Sequence, residues 1–297
     1  GQNELLAFTD KLADKGIAYR MTPDGVDIAD VPLPPITLNC LYDVAVGDLN
    51  RDGLADLYLA MGCFHFEMYR QTGHPDLILM NRGNQRFEAI TLEPDRRVLT
   101  TSVTIADVDG DGWLDVMESN NASWISGKSR LLMNRTAPGD DTPTFEPSEH
   151  TWDIGTDGMG AAIGDLNGDG YMDLFNTSIG YDLLLMGQQG GGFVDETLTR
   201  GLHHLWSSEG RRAQWSPTFT DLNADGRLDL LIRHGIRSVI GLRTTTTMAA
   251  DLAYVQAADG AMVRSWTPFS EPTDDGVSFA VGDLEGQWLH QEPIWQA

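Results

Sequence analysis

The chain has 297 residues, 41% apolar and 8% aromatic, which is ordinary for a folded protein and long enough for a large core or several copies of one unit. Its 44 acids against 20 Lys and Arg give a formal charge of −24, a surface that repels nucleic-acid phosphates and disfavours adsorption to anionic membranes. No run approaches the ~18 apolar residues of a membrane span, so the acid excess is either a solvated face or a set of sites for bound cations.

In chain order, the start at Gly1-Gln2-Asn3-Glu4 has no Met or apolar leader and reads as processed or trimmed. Residues 4–16 read as a short helix or a strand. Residues 8–17 share the pattern of residues 193–202, so the chain is expected to open with the last strand of a repeat. An Asp-rich segment then recurs four times without gaps: Asp48-Leu-Asn50-Arg-Asp52-Gly53-Leu54-Ala-Asp56, Asp107-Val-Asp109-Gly-Asp111-Gly112-Trp113-Leu-Asp115, Asp165-Leu-Asn167-Gly-Asp169-Gly170-Tyr171-Met-Asp173 and Asp221-Leu-Asn223-Ala-Asp225-Gly226-Arg227-Leu-Asp229. The first aspartates are 59, 58 and 56 residues apart. A decayed fifth copy, Asp283-Leu-Glu285-Gly-Gln287, lacks the Gly and the final Asp and is expected to have lost its metal.

A second element follows each loop. It begins at Leu77, Leu131, Leu183 and Ala253 and reads as strand, Gly- or Asn-containing turn, strand. Each repeat therefore holds about four short strands, two flanking the loop and two in a later hairpin. Four-stranded units at this period describe the blades of an all-β propeller. The expected division is residues 1–35 as closing strand and lead-in, blades at 36–95, 96–152, 153–205 and 206–270, and a degenerate part-blade at 271–297. About five repeats either close a small ring or belong to a ring completed by further residues or a partner; the second is favoured.

The loop spacing D-x-[DN]-x-D-G-x-x-D predicts a cation site. Side chains at positions one, three, five and nine curl round a centre, and position seven (Leu54, Trp113, Tyr171, Arg227) adds a backbone carbonyl. The donors are hard oxygens, as Ca2+ prefers; no soft ligand favours zinc or copper, and Mg2+ wants a smaller octahedral shell. Gly at position six permits the left-handed turn that brings its neighbours inward. An EF-hand would need Glu at position twelve and flanking helices, whereas position twelve is Leu59, Glu118, Asn176 and Ile232. Asp, Asn and Gly also make ordinary turns. Turn chemistry alone does not require Asp at the ninth position every time, and thirteen crowded carboxylates repel unless cations sit among them. About four Ca2+ would bring the formal charge from −24 to about −16.

These loops, with the Leu-Met-Asn-Arg-Gly element, resemble the FG-GAP or VCBS repeat family, and the later elements look like the versions in the cartilage-acidic-protein group. The resemblance covers roughly residues 5–285. It implies a β-propeller with Ca2+ in the first hairpin of each blade, an extracytoplasmic setting, and a role in adhesion or protein contact. The family's Phe-Gly and Gly-Ala-Pro signatures are poorly kept, so no integrin-like ligand follows.

Other candidates are weaker. Cys40 and Cys63 lie on the strands flanking the first loop. With Gly47 set opposite Leu57, Cys40 falls one position from facing Cys63, which allows a disulfide; two buried thiols are the alternative. His65, His74, His203 and His204 fix no site, and no nucleophile elbow, phosphate loop, H-E-x-x-H or C-x-x-C is present. Asn121, Asn134 and Asn176 sit in N-x-S/T sequons. Trp113, Trp124, Trp206, Trp215 and Trp266 could stack on sugars or a partner, or pack between blades. The expected role is a non-enzymatic, calcium-stabilised protein-binding module. A glycan-binding propeller, or a part of a polysaccharide-active enzyme, is the alternative.

Overall fold

The structure is a computed structural model that describes residues 18–22, 25–29, 41–61, 75–84, 86–96, 98–121, 127–149, 158–178, 181–202, 213–235, 252–265, 283–284 and 287–288. Among these the regular structure is all β. Strands β1 (Ala18–Thr22) and β2 (Gly25–Ala29) form an antiparallel hairpin. Four sheets follow, each a four-stranded antiparallel meander in chain order. The first holds β3 (Leu41–Gly47), β4 (Asp56–Met61), β5 (Leu77–Asn81) and β6 (Phe87–Thr91). The second holds β7 (Thr100–Ala106), β8 (Asp115–Asn120), β9 (Arg130–Asn134) and β10 (Phe145–Pro147). The third holds β11 (Gly158–Gly164), β12 (Asp173–Ser178), β13 (Leu183–Gly187) and β14 (Phe193–Asp195). The fourth holds β15 (Ala213–Thr220), β16 (Asp229–Gly235), β17 (Leu252–Gln256) and β18 (Met262–Ser265). The fifth, decayed copy contributes two two-residue strands, β19 (Asp283–Leu284) and β20 (Gln287–Trp288), paired with each other.

In every sheet the Asp-rich loop joins the first two strands. Its ninth residue is already the first residue of the second strand, so Gly47 pairs with Asp56, Ala106 with Asp115, Gly164 with Asp173 and Thr220 with Asp229. The sequence-based pairing of Gly47 with Leu57 is therefore one residue out: Leu57 pairs with Val46, and a bulge between Leu41 and Asp43 shifts the far end again. Cys40 and Cys63 lie outside the described residues, as do residues 4–16 and the four histidines 65, 74, 203 and 204.

The second strands of the first three sheets are buried along their whole length. Because successive side chains alternate between faces, each of these strands packs on both sides. Tyr58, Ala60, Ile78 and Met80 of the first sheet meet Val103, Val116 and Leu132 of the second. Met117, Leu131 and Met133 of the second sheet's other face meet Ala161, Leu174, Leu185 and Phe193 of the third. Phe175, Leu184 and Met186 meet Leu230, Ile232, Leu252 and Tyr254 of the fourth. Burial of each large apolar side chain contributes about 1.5–3 kcal/mol, so these three layers are the main cohesive term.

The first strands of successive sheets lie against one another. Asp43 Oδ2 accepts from Ser102 Oγ (2.9 Å) and the Val103 amide (3.0 Å). The hydroxyls of Thr101 and Thr104 donate to the carbonyls of Gly158 (2.8 Å) and Ala161 (2.9 Å). A Cβ at Gly160 would come within 2.8 Å of Pro217 Cδ and 2.9 Å of the Ser216 nitrogen, so β11 and β15 need a residue without a side chain there.

Candidate metal centres

The four loops share an internal hydrogen-bond pattern that follows from the Asp and Asn spacing, except that in the second loop the position-four amide replaces that of position five on Asp107. The carboxylate at position one takes two backbone amides across the turn. Asp48 accepts from Asp52 and Gly53, Asp107 from Gly110 and Gly112, Asp165 from Asp169 and Gly170, and Asp221 from Asp225 and Gly226, at 2.8–3.1 Å. Position five accepts the amide of position seven, at Leu54, Trp113, Tyr171 and Arg227, at 2.8–3.0 Å. Gly53, Gly112, Gly170 and Gly226 have φ of 86°, 87°, 90° and 85°, the left-handed conformation that the turn demands.

Position nine is built differently. Asp56, Asp115, Asp173 and Asp229 are all 0% exposed. One oxygen of each accepts the amide of loop position two, at Leu49, Val108, Leu166 and Leu222, at 2.8–3.0 Å. The other accepts the last amide of the third strand in every sheet (Asn81, Asn134, Gly187 and Gln256), each at 2.8 Å. This residue ties the loop to the sheet whether or not a cation is present. Burial raises Asp56, Asp115 and Asp173 to about 6, against the lowering effect of their amide bonds; the other loop aspartates add to the rise. Asp221, in contrast, is held below its usual value, chiefly by the Gly226 amide.

In the second loop, oxygens of Asp107, Asp109 and Asp115 lie within 4.8 Å of one another and could hold a metal ion. The other three loops carry Asn at the middle position. Asn50, Asn167 and Asn223 turn Nδ2 onto the position-five carboxylates of Asp52 (3.1 Å), Asp169 (2.8 Å) and Asp225 (3.0 Å). That leaves each Asn Oδ1 on the opposite side, accepting the position-five amide. Arginines also neutralise the loops: Arg135 bonds Asp109 (3.1 Å) and Asp111 (3.2 Å), and Arg227 bonds Asp225 (2.5 Å). The donor chemistry fits a hard divalent cation, since every side-chain ligand offered is a carboxylate or amide oxygen.

Sequence reasoning missed two groups. The first is a set of side-chain amides at the end of the third strands. Asn134 Nδ2 donates to the carbonyl of Leu49 (2.9 Å), position two of the preceding loop, and Gln256 Nε2 donates to Leu166 (2.7 Å), also position two of a preceding loop. The second is a buried polar cluster between the first two sheets. Glu118, fully buried, accepts from Tyr58 Oη (2.5 Å), Arg130 Nε (2.6 Å) and Arg96 Nη1 (3.0 Å), while Arg130 also pairs with Glu93. Asp76 accepts from the Met61 amide (2.7 Å) and Thr100 Oγ1 (2.6 Å). Burial and then the neighbouring Glu118 charge raise Asp76 well above the usual carboxylate value; burial opposes ionisation of Glu118, but Arg130 and Arg96 bring it below its usual value. Glu118 was visible in the sequence only as a match at position twelve. It faces this cluster rather than a loop.

Several remaining candidates are placed. Trp113 lies beneath the Arg51 guanidinium, 5.2 Å from ring centre to cation, and Trp215 is half-buried; Trp124, Trp206 and Trp266 lie outside the described residues. Asn134 and Asn176 are fully buried and hydrogen-bonded, so the folded chain offers neither sequon to a glycosyl donor. No helix among the described residues is long and apolar enough to cross a membrane.

One buried acid carries a pH prediction. Asp182, before β13, accepts the Ser178 amide (2.9 Å), and burial raises it from 3.8 to about 7. Its stabilising contribution is complete below about pH 4 and is lost as pH rises through about 7, because the unfolded chain ionises first. Asp182→Asn keeps an acceptor and can donate to Gln214 Oε1, which has no partner among the described residues. We expect this variant to be more stable than the parent by about 1–3 kcal/mol at pH 8 and to show little gain at pH 4, read from denaturant unfolding at the two values.

The chain matches no protein-family profile and no curated protein sequence. Among solved structures it is similar to the V. cholerae biofilm matrix protein Bap1, at 16% identity and a TM-score of 0.35. That similarity covers 75% of this chain and 38% of Bap1, so the chain spans less than two fifths of that protein's length. A likeness at this level establishes neither a shared fold nor a shared role.

Proposed function

We propose that this chain is a calcium-stabilised binding module of the FG-GAP or VCBS type. Its four sheets are blades set about a common axis, and its faces serve contact with a protein partner outside the cytoplasm. One observation carries the reading: the same nine-residue loop recurs in every sheet, with its position-nine carboxylate held by the same two backbone amides and its position-one carboxylate by two amides from positions four to six. The side-by-side first strands and the three face-to-face apolar layers support a radial order of sheets. In each loop the first, third, fifth and ninth side chains and the position-seven carbonyl would hold the ion. The extracytoplasmic assignment rests on the calcium supply that modest-affinity sites of this kind require.

A site held at 100-fold excess of free calcium over its Kd stabilises the fold by about 2.7 kcal/mol. Excess chelator is therefore expected to lower Tm by more than about 10 °C relative to millimolar calcium. An unchanged melt would rule the calcium reading out. For the contact role, a stoichiometric protein partner retained in calcium and released by chelator is the expected result. Binding of immobilised glycans in place of any protein, lost on Trp113→Ala, would replace that role with the carbohydrate one.

A further inference from the structure

We propose that the four loops work as two coupled pairs, first with second and third with fourth, and that no such coupling links the second to the third. The proposal rests on the calcium reading above and concerns how occupancy of one site is felt at another.

The coupling path is a short chain of bonds, present twice. In the first pair, Asp56 of loop one holds the Leu49 amide (3.0 Å); the Leu49 carbonyl accepts Asn134 Nδ2 (2.9 Å); and the Asn134 amide is held by Asp115 of loop two (2.8 Å). Position nine of one loop is thus joined to position nine of the next through the backbone of one residue, Leu49, and through Asn134. In the second pair, Asp173 holds the Leu166 amide (2.8 Å), the Leu166 carbonyl accepts Gln256 Nε2 (2.7 Å), and the Gln256 amide is held by Asp229 (2.8 Å). Between loops two and three the corresponding residue is Gly187, whose amide is held by Asp173 but which has no side chain to reach Val108. The site tolerates nothing larger, because a Cβ at Gly187 would come within 2.4 Å of the Met172 carbonyl oxygen.

The first pair has two further links. Asn50 Nδ2 donates to the Asp141 carbonyl (3.0 Å) in the second sheet's hairpin, and the Arg51 guanidinium covers the Trp113 ring of loop two. A cation that fixes loop two therefore fixes groups to which loop one is bonded, and the reverse holds by reciprocity. The second pair depends on Gln256 for the path drawn above, which makes it the cleaner test.

The experiment is calcium titration of the full chain by calorimetry. Asp225→Ala removes site four. In the parent background it is expected to weaken site three by about 5-fold or more while leaving sites one and two unchanged. Gln256→Met keeps the length of the side chain and loses the donor; in that background Asp225→Ala is expected to leave site three unaltered. Asn134→Ala with Asp111→Ala is the matching pair for sites one and two. Folding of each variant is checked by its melt in calcium, and Gln256→Met serves if Asn134→Ala fails to fold. Independent sites in the parent, or coupling that survives Gln256→Met, would overturn the pairing while leaving calcium binding intact. No calcium uptake at all would overturn both.

Discussion

Asp115→Ala is expected to destabilise the chain by about 3–5 kcal/mol even in excess chelator, lowering Tm by about 6–12 °C. The reason is independent of any cation. Asp115 is fully buried, and its two oxygens accept the Val108 and Asn134 amides at 2.8 Å each. Truncation leaves two buried donors without partners and detaches the loop from β9. Asp111→Ala is the contrast. Asp111 is exposed, and its carboxylate accepts the Trp113 amide and pairs with Arg135. Its replacement is expected to lower Tm by several degrees in calcium and by under about 2 °C in chelator. Melting both variants with and without chelator reads the difference. Equal losses for the two in chelator would show that position nine is not the brace described here.

Glu118→Ala is expected to cost a further, calcium-independent 3–5 kcal/mol or so, because Arg130 and Arg96 then lose a buried partner. Glu118 receives three charge-assisted or phenolic hydrogen bonds at 2.5–3.0 Å, and Tyr58 reaches it from the facing sheet. Tyr58→Phe should cost about 1–2 kcal/mol, since only the hydroxyl is lost and the ring still fills the layer. The corresponding positions in the third and fourth sheets are Asn176 and Ile232, so among the described residues those sheets carry no acid at this position. Denaturant unfolding of Glu118→Ala, Glu118→Gln and Tyr58→Phe gives the ranking; a Glu118→Ala loss below that of Tyr58→Phe would contradict it.

The parts of this molecule that could be read from sequence are those whose chemistry is local. Each loop closes its turn within nine residues, so Asp48, Asn50, Asp52 and Asp56 sit at fixed offsets, as do their counterparts in the other loops. The later hairpins were visible for the same reason, with Leu77–Asn81 and Phe87–Thr91 marking two strands and a Gly-containing turn. The unread parts depend on partners far away in the chain. Asn134 meets Leu49 across 85 residues and Gln256 meets Leu166 across 90, and no spacing rule relates them. For Glu118 the sequence shows only its offset from Asp107; the opposing Tyr58, 60 residues earlier, defines what it does. The one-residue error at Gly47 arose because Asp56 is both a loop residue and the first residue of β4.

Calcium in these four loops is open to a stoichiometric test. The direct measurement is the number of tightly held calcium ions per chain, by elemental analysis after gel filtration in calcium-containing buffer with magnesium in excess. About four are expected in the parent chain and one fewer in Asp111→Ala or Asp169→Ala. A parent chain that emerges with no calcium, or a count unmoved by either substitution, would contradict calcium binding by the loops.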